Sequence, residues 1–245
     1  MTKRPQLKAR ISQKDFRDSL ATMAQEFSNW IELAVSEFPA DMAARADRLK
    51  RIEDPQTGFQ TFLEVYLPHY VKGEHSLFHR HIFDRVPEIL AQEKGARDLF
   101  IAPRGSSKST HLSLGFALYC VVRGLKRYVL EVCDVYSQAA LLIEAIKAEL
   151  TSNPLGAGQK IRGRRHGPHR PDLMFFDDLE NDEAVRSPDQ RKKLESWVNR
   201  AALKVGPPDG SMDVIWVGTV LHFDAVIVRA AKSPVWRVAE FQAVV

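Results

Sequence analysis

From residue 98 onward the chain alternates short, almost wholly apolar runs with longer helix-like segments. The runs are 98–102 (DLFIA), 127–133 (RYVLEVC), 172–176 (DLMFF), 213–217 (DVIWV) and a last one within 235–245. A strand with one wet face alternates apolar and polar residues, whereas a strand apolar throughout is covered on both faces. The interposed helices supply that cover, so the pattern predicts an α/β fold with a mostly parallel central sheet. Helices are expected over 108–123, closed by Gly124, over 136–151, and over 189–205 after Ser187-Pro188.

The first third reads differently. Phe16, Leu20, Phe27, Ile31 and Ala34 recur at steps of three, four and seven, which makes one apolar helical face within 12–50. Pro39 interrupts it, and a second helix is expected to begin near Ala40. We therefore expect a helical N-terminal arm over 1–58, packed on the main domain or on a neighbouring subunit, and a main domain over 59–245. An aromatic-rich stretch at 59–70 and a helix over 77–93 complete the outline.

A chain of 245 residues suffices for one sizeable α/β domain with extra helices. It has no apolar run near the ~20 residues of a membrane span. The basic N-terminus lacks the apolar stretch of a signal peptide, so the chain is expected to stay in the cytoplasm. Cys120 and Cys133 have no metal-binding spacing and are expected to be buried, reduced thiols. The net charge of +4 is mild, but the cations cluster at 3–17 and at 160–170. Clustered positive charge suits a polyphosphate partner.

Between the first apolar run and its helix lies APRGSSKST, residues 102–110. A phosphate loop needs this order of strand, small-residue turn and helix, because the helix N-terminus points backbone N–H groups and positive potential at the oxygens. Pro103, Arg104, Gly105, Ser106, Ser107, Lys108, Ser109 and Thr110 are the candidate nucleotide-binding residues. Lys108 would reach the β- and γ-phosphates of ATP, and Ser109 would place its hydroxyl on Mg²⁺. Ala102 and Ser107 stand where the pattern GxxxxGK[ST] has glycines.

Three further features share the reading. The run 173–176 ends in Asp177-Asp178, a strand-end acid pair. Asp177 suits the metal shell, and Asp178 or Glu180 would orient the attacking water. The run 213–217 ends in Gly218-Thr219, a small residue and a hydroxyl that can couple γ-phosphate loss to movement. Arg104, inside the loop, could stabilise charge on the transferring phosphoryl group, the alternative being a surface salt bridge. Phe78 and His79 could stack on adenine and Gln60 could hydrogen-bond it, the alternative being core or helix surface.

Taken in order, APRGSSKST, RYVLEVCDVYSQAALL, IRGRRHGPHRPDLMFFDDLEND and DVIWVGTVLHFDAVI resemble the ATPase domain of the large terminase subunit of tailed bacteriophages, over about residues 59–245. The resemblance implies a P-loop NTPase of the additional-strand, RecA-like type, using ATP and Mg²⁺ to drive double-stranded DNA into a procapsid. It implies a pentameric homo-oligomeric ring docked on the portal protein in the host cytoplasm, with a small terminase subunit as partner. It also implies a nuclease domain of RNase H-like fold beyond these residues. Arg162, Arg164 and Arg165 would then line the DNA channel or reach a neighbouring subunit's nucleotide in trans, the alternative being that Arg162 and Arg170 brace the acid strand. The stretch 150–161 is shorter than the resemblance implies and reads like a join across missing residues. Two other readings remain open: a helicase-like nucleic-acid-dependent ATPase, and a non-catalytic DNA-binding or scaffolding P-loop domain.

Overall fold

The computed structural model describes residues 13–38, 41–155 and 169–242. Its centre is a five-stranded, wholly parallel sheet built from β1 (Arg97–Ile101), β2 (Val129–Cys133), β3 (Leu173–Asp177), β4 (Asp213–Gly218) and β5 (Arg237–Glu240). All five expected runs form strands, and the parallel α/β architecture follows. The spatial order is β2-β3-β4-β1-β5. The chain leaves β1 for the far edge, returns one strand at a time through β3 and β4, then steps over β1 to β5.

The strands are apolar because the sheet is a wall between two cores. On one face Phe100, Phe175, Ile215 and Val217 pack with Phe59, Phe62, Leu63, Phe116 and Tyr119. On the other, Leu99, Ile101, Met174, Phe176, Val214 and Trp216 pack with Val198, Val226, Ile227 and Trp236. Alternate residues of one strand thus feed opposite cores, which is why no polar period survives in the sequence.

The helices are α1 (Gln13–Ala34), α2 (Met42–Glu53), α3 (Gly58–Tyr66), α4 (Leu77–Ala91), α5 (Ala117–Arg123), α6 (Tyr136–Ser152), α7 (Pro188–Arg200) and α8 (Val226–Ala231). The N-terminal arm lies on the main body: α1 runs along α6, and α2 meets α3. Trp30 of α1 packs edge-on against His69 and Tyr70. Asp41 caps α2 by accepting from the amides of Ala43 and Ala44.

Four details depart from expectation. The helix that follows the 102–110 loop is not α throughout: Thr110–Phe116 is π-helical before α5 begins. Gly115 sits in this widened stretch, and a Cβ there would lie 2.5 Å from Leu63 Cδ2, so α3 presses on bare backbone. The helix expected over 189–205 stops at Arg200 and ends in a 3₁₀ turn, Ala202–Lys204. Helix α8 lies between β4 and β5, where the sequence pattern predicts no helix. Cys133 is only half-buried, unlike Cys120, although burial pushes its thiol up to about 12. Among the described residues no helix is long and apolar enough to cross a membrane.

Candidate active site

Sheet order and register bring three distant segments to one edge. In the parallel ladder Ile101 pairs with Gly218, and Asp177 pairs with Val217. The carboxyl ends of β1, β4 and β3 therefore stand side by side. That edge is where parallel α/β sheets bind ligands, because the loops leaving the strands gather there with the helix N-termini. The loop after β1 starts as the Ala102 amide donates to the Gly218 carbonyl at 3.2 Å.

Lys108 opens the helix that continues into the π-helical segment, and its side chain folds back into the loop, 5 % exposed. Its ammonium donates to the Pro103 carbonyl at 3.1 Å and to Thr219 Oγ1 at 2.9 Å. Thr219 in turn donates its hydroxyl to the Ala102 carbonyl at 3.1 Å and its amide to Asp178 Oδ1 at 3.2 Å. One threonine thus joins the lysine, the start of the loop and the second acid of the pair. Gly218 precedes it because a Cβ would come within 2.8 Å of Ile227 Cδ1.

The Ser109 hydroxyl donates to Asp177 Oδ1 at 2.9 Å. Asp177 is buried, and burial raises its carboxyl above the usual range; the hydroxyls of Ser109 and Ser113 pull it back, Asp178 pushes it up, and Lys108 lowers it. A buried carboxylate with a paired hydroxyl and a second acid nearby is a hard-oxygen donor set, which fits Mg²⁺. The amides at the start of the helix have no intrahelical acceptor and face the same loop.

The loop and the acid strand both hold strained backbone. Among the described residues, Ser107 (φ 55°) and Asp178 (φ 44°) are the only non-glycine residues at positive φ. Each costs about 1–2 kcal/mol for an L-residue. Such strain concentrates where a side chain or an amide must point at a ligand. At Ser107 it explains why the phosphate-loop pattern has glycine there. Gly105 (φ 79°) takes the left-handed turn without that cost, with nothing within 4 Å of where a Cβ would be.

The other candidates fall outside this cluster. Arg104 is exposed and pairs with Asp182 at 3.0 Å. Glu180 has both carboxylate oxygens engaged at the start of α8, accepting from the amides of Val226 (2.9 Å) and Ile227 (3.1 Å). Phe78 is buried against Phe100 and Phe241, and Gln60 donates to Glu64 at 2.8 Å. His79 stacks on His111. Ser106 and Thr110 are half-buried at the two ends of the Ser107-Lys108-Ser109 turn. Arg162, Arg164 and Arg165 lie outside the described residues.

Sequence reading missed what braces the loop from behind. Two histidines bond to loop carbonyls: His79 Nε2 donates to Ser106 O at 3.1 Å and His111 Nδ1 to Ser107 O at 3.0 Å. It also missed Glu131 on β2. Both of its carboxylate oxygens are buried and, among the described residues, have no hydrogen-bond partner. Burial raises its carboxyl well above the usual range, and Asp177 raises it further.

Glu131 therefore remains protonated in the fold at pH values where the unfolded chain ionises it. The unfolded state then binds fewer protons, so stability falls as pH rises above about 4.3, the ordinary glutamate value. Glu131→Leu is expected to raise stability by about 1–3 kcal/mol at pH 7 by removing an unsatisfied buried carboxyl. The pH-dependent part of that gain should vanish near pH 4. Urea unfolding at several pH values measures both; a variant less stable at pH 7 than at pH 4, relative to wild type, would contradict this account.

No protein-family model matches the chain, and no curated protein does.

Proposed function

We propose that this chain is an ATP-hydrolysing P-loop domain of the additional-strand, RecA-like type, and that it serves as the DNA-packaging motor of a large terminase subunit. The observation that carries the reading is the convergence of Lys108, Ser109, Asp177, Asp178 and Thr219 at one edge of the sheet. The strand order supports it: β4 lies as an additional strand between the loop strand β1 and the acid strand β3. The packaging role rests on the resemblance of the four ordered segments.

In this reading Mg²⁺, when bound, would supply positive charge to offset that of the phosphate oxygens. The loop amides and Lys108 cradle the β- and γ-phosphates, and the lysine exchanges its contacts with Pro103 and Thr219 for phosphate oxygens. Ser109 and Asp177 would hold the metal. Asp178 orients the attacking water, since Glu180 is committed to α8. Thr219, bonded to both Lys108 and Asp178, registers the presence of the γ-phosphate. Glu180 and Gly218 both contact the start of α8, so the signal has a short route to that helix. Arg104 would leave Asp182 to meet the transferring group. The basic segment 160–170 supplies the charge that grips the DNA backbone.

The test is phosphate release by purified protein with Mg²⁺ and ATP, with and without double-stranded DNA. Turnover that needs Mg²⁺ and rises with DNA is expected. Replacing Arg162, Arg164 and Arg165 together should remove the DNA stimulation and flatten the salt dependence of DNA binding. Strand separation by the protein would favour the helicase reading, and ATP binding without turnover would favour the scaffolding one.

A further inference from the structure

Beside the phosphate-loop candidate, on its helical flank, stand three histidines: His75 before α4, His79 in its first turn, and His111 in the π-helical segment. One ring nitrogen from each lies within 4.8 Å of the other two. We propose that His75, His79 and His111 form a binding site for a divalent transition-metal ion of the zinc class.

The hydrogen bonds set the tautomers. A carbonyl oxygen can only accept, so a ring nitrogen bonded to one carries the proton. His111 donates Nδ1–H to Ser107 O, and His79 donates Nε2–H to Ser106 O. His75 donates Nε2–H to the Glu64 carboxylate at 2.9 Å. Each ring thus spends one nitrogen on a protein oxygen and leaves the other with a lone pair. This is the arrangement of metal-bound histidines, whose second nitrogen donates to a carbonyl or carboxylate that orients the ring.

Among the described residues, two of the lone-pair nitrogens lack good partners. His111 is 2 % exposed, and its Nε2 is buried with no hydrogen bond among the described residues. His79 Nδ1 has only the Ser76 amide, at 3.4 Å. A buried acceptor left unpaired is costly, and a cation is the ligand that satisfies it. Phe83, 4.8 Å from His75 and 6.0 Å from His111 between ring centroids, walls the site with apolar surface.

The donor set chooses the metal. Three imidazoles suit Zn²⁺, Co²⁺, Ni²⁺ or Cu²⁺, whereas Mg²⁺ and Ca²⁺ require oxygen. Three protein ligands leave a fourth position for water. Ligation has a geometric cost. His79 and His111 now stack at 4.0 Å with their planes 13° apart, and a metal must lie in the plane of each ring. The stack opens on binding, with the rings turning about their bonds to Ser106 and Ser107. A bound ion would then hold α4, the π-helical segment and two loop carbonyls together.

The inference does not depend on the nucleotide reading and is tested without nucleotide. Protein stripped with chelator is titrated with Co²⁺, followed by competition with Zn²⁺. Saturation at one ion per chain, with the visible bands of a four-coordinate nitrogen site, is expected. Zn²⁺ should raise Tm. His79→Ala and His75→Ala should each weaken binding by at least ~10-fold and abolish the Tm rise, and Glu64→Ala should weaken it by about 10-fold through the ring it orients. His81→Ala, and His166→Ala with His169→Ala, should bind as wild type; circular dichroism confirms that each variant is folded. Absence of saturable uptake, or wild-type binding by folded His79→Ala, overturns the proposal.

Discussion

Lys108→Ala is expected to lower Mg²⁺-dependent phosphate release from ATP by about 100- to 1000-fold, the effect of losing one preorganised charge donor from a phosphoryl-transfer site. The lysine is buried, yet among the described residues its ammonium bonds only to the Pro103 carbonyl and to Thr219. Truncation removes a charge that water hardly reaches and leaves both oxygens their other contacts or solvent from the open loop. The fold should therefore survive, with Tm close to wild type. Lys108→Arg should rescue little, because a planar fork does not fit where a point charge is cradled. Thr219→Ala should fall between, since it frees Lys108 but cuts the link to Asp178. Phosphate release and nucleotide binding, measured on the same preparations, separate the outcomes. Unchanged turnover in Lys108→Ala would remove the lysine from the site and the loop from the mechanism.

That experiment tests residues that were readable in order but not in space. The apolar runs announced a parallel sheet because burial on both faces erases the polar period of a strand. The loop, the acid pair and the Gly-Thr pair were each visible as strand ends. What joins them is the strand order, and order is set by crossovers that leave little trace in local composition. Asp178 and its rival Glu180 are both strand-end acids in sequence; that Glu180 bonds the first amides of α8 shows only in the fold. Helix α8 itself is six residues long, too short for a period to show. The three histidines were legible only as isolated residues, because His111 reaches His75 and His79 through the packing of α4 against the π-helical segment.

Arg85→Ala is expected to destabilise the protein by about 3–5 kcal/mol, the cost of stranding one member of a buried ion pair. Asp98, the one acid in β1, lies in the sheet interior beside the core of aromatic side chains. Arg85 of α4 meets it with a two-pronged contact, Nε to Oδ1 at 2.7 Å and Nη2 to Oδ2 at 3.0 Å, and also reaches Glu88 at 2.7 Å. Both members of the pair are almost wholly buried. Removing the guanidinium leaves a carboxylate with neither solvent nor partner. A loss of this size corresponds to a fall in Tm of about 6–20 °C in a chain of this length. Replacing both partners with apolar residues of similar volume should recover most of it, because an apolar pair has no charge to desolvate. If the single variant unfolds within about 1 kcal/mol of wild type, Asp98 is solvated by rearrangement and the pair does not fasten α4 to the sheet.

The position of β1 has a consequence for how the molecule is made. Its two neighbours, β4 and β5, are the last of the five described strands in sequence order, and β2 and β3 lie on the far side of β4. During synthesis the strand that carries the loop therefore emerges early and waits. Until residues 213–218 have left the ribosome it has no partner for its backbone groups, and Asp98 has only α4 to meet. A nascent chain ending before β4 would hold β2 and β3 as a ladder and β1 as an unpaired apolar segment, the condition in which strands associate with the wrong partner. Assembly of the sheet centre, and with it the candidate site, thus requires β4 to slot between β3 and β1.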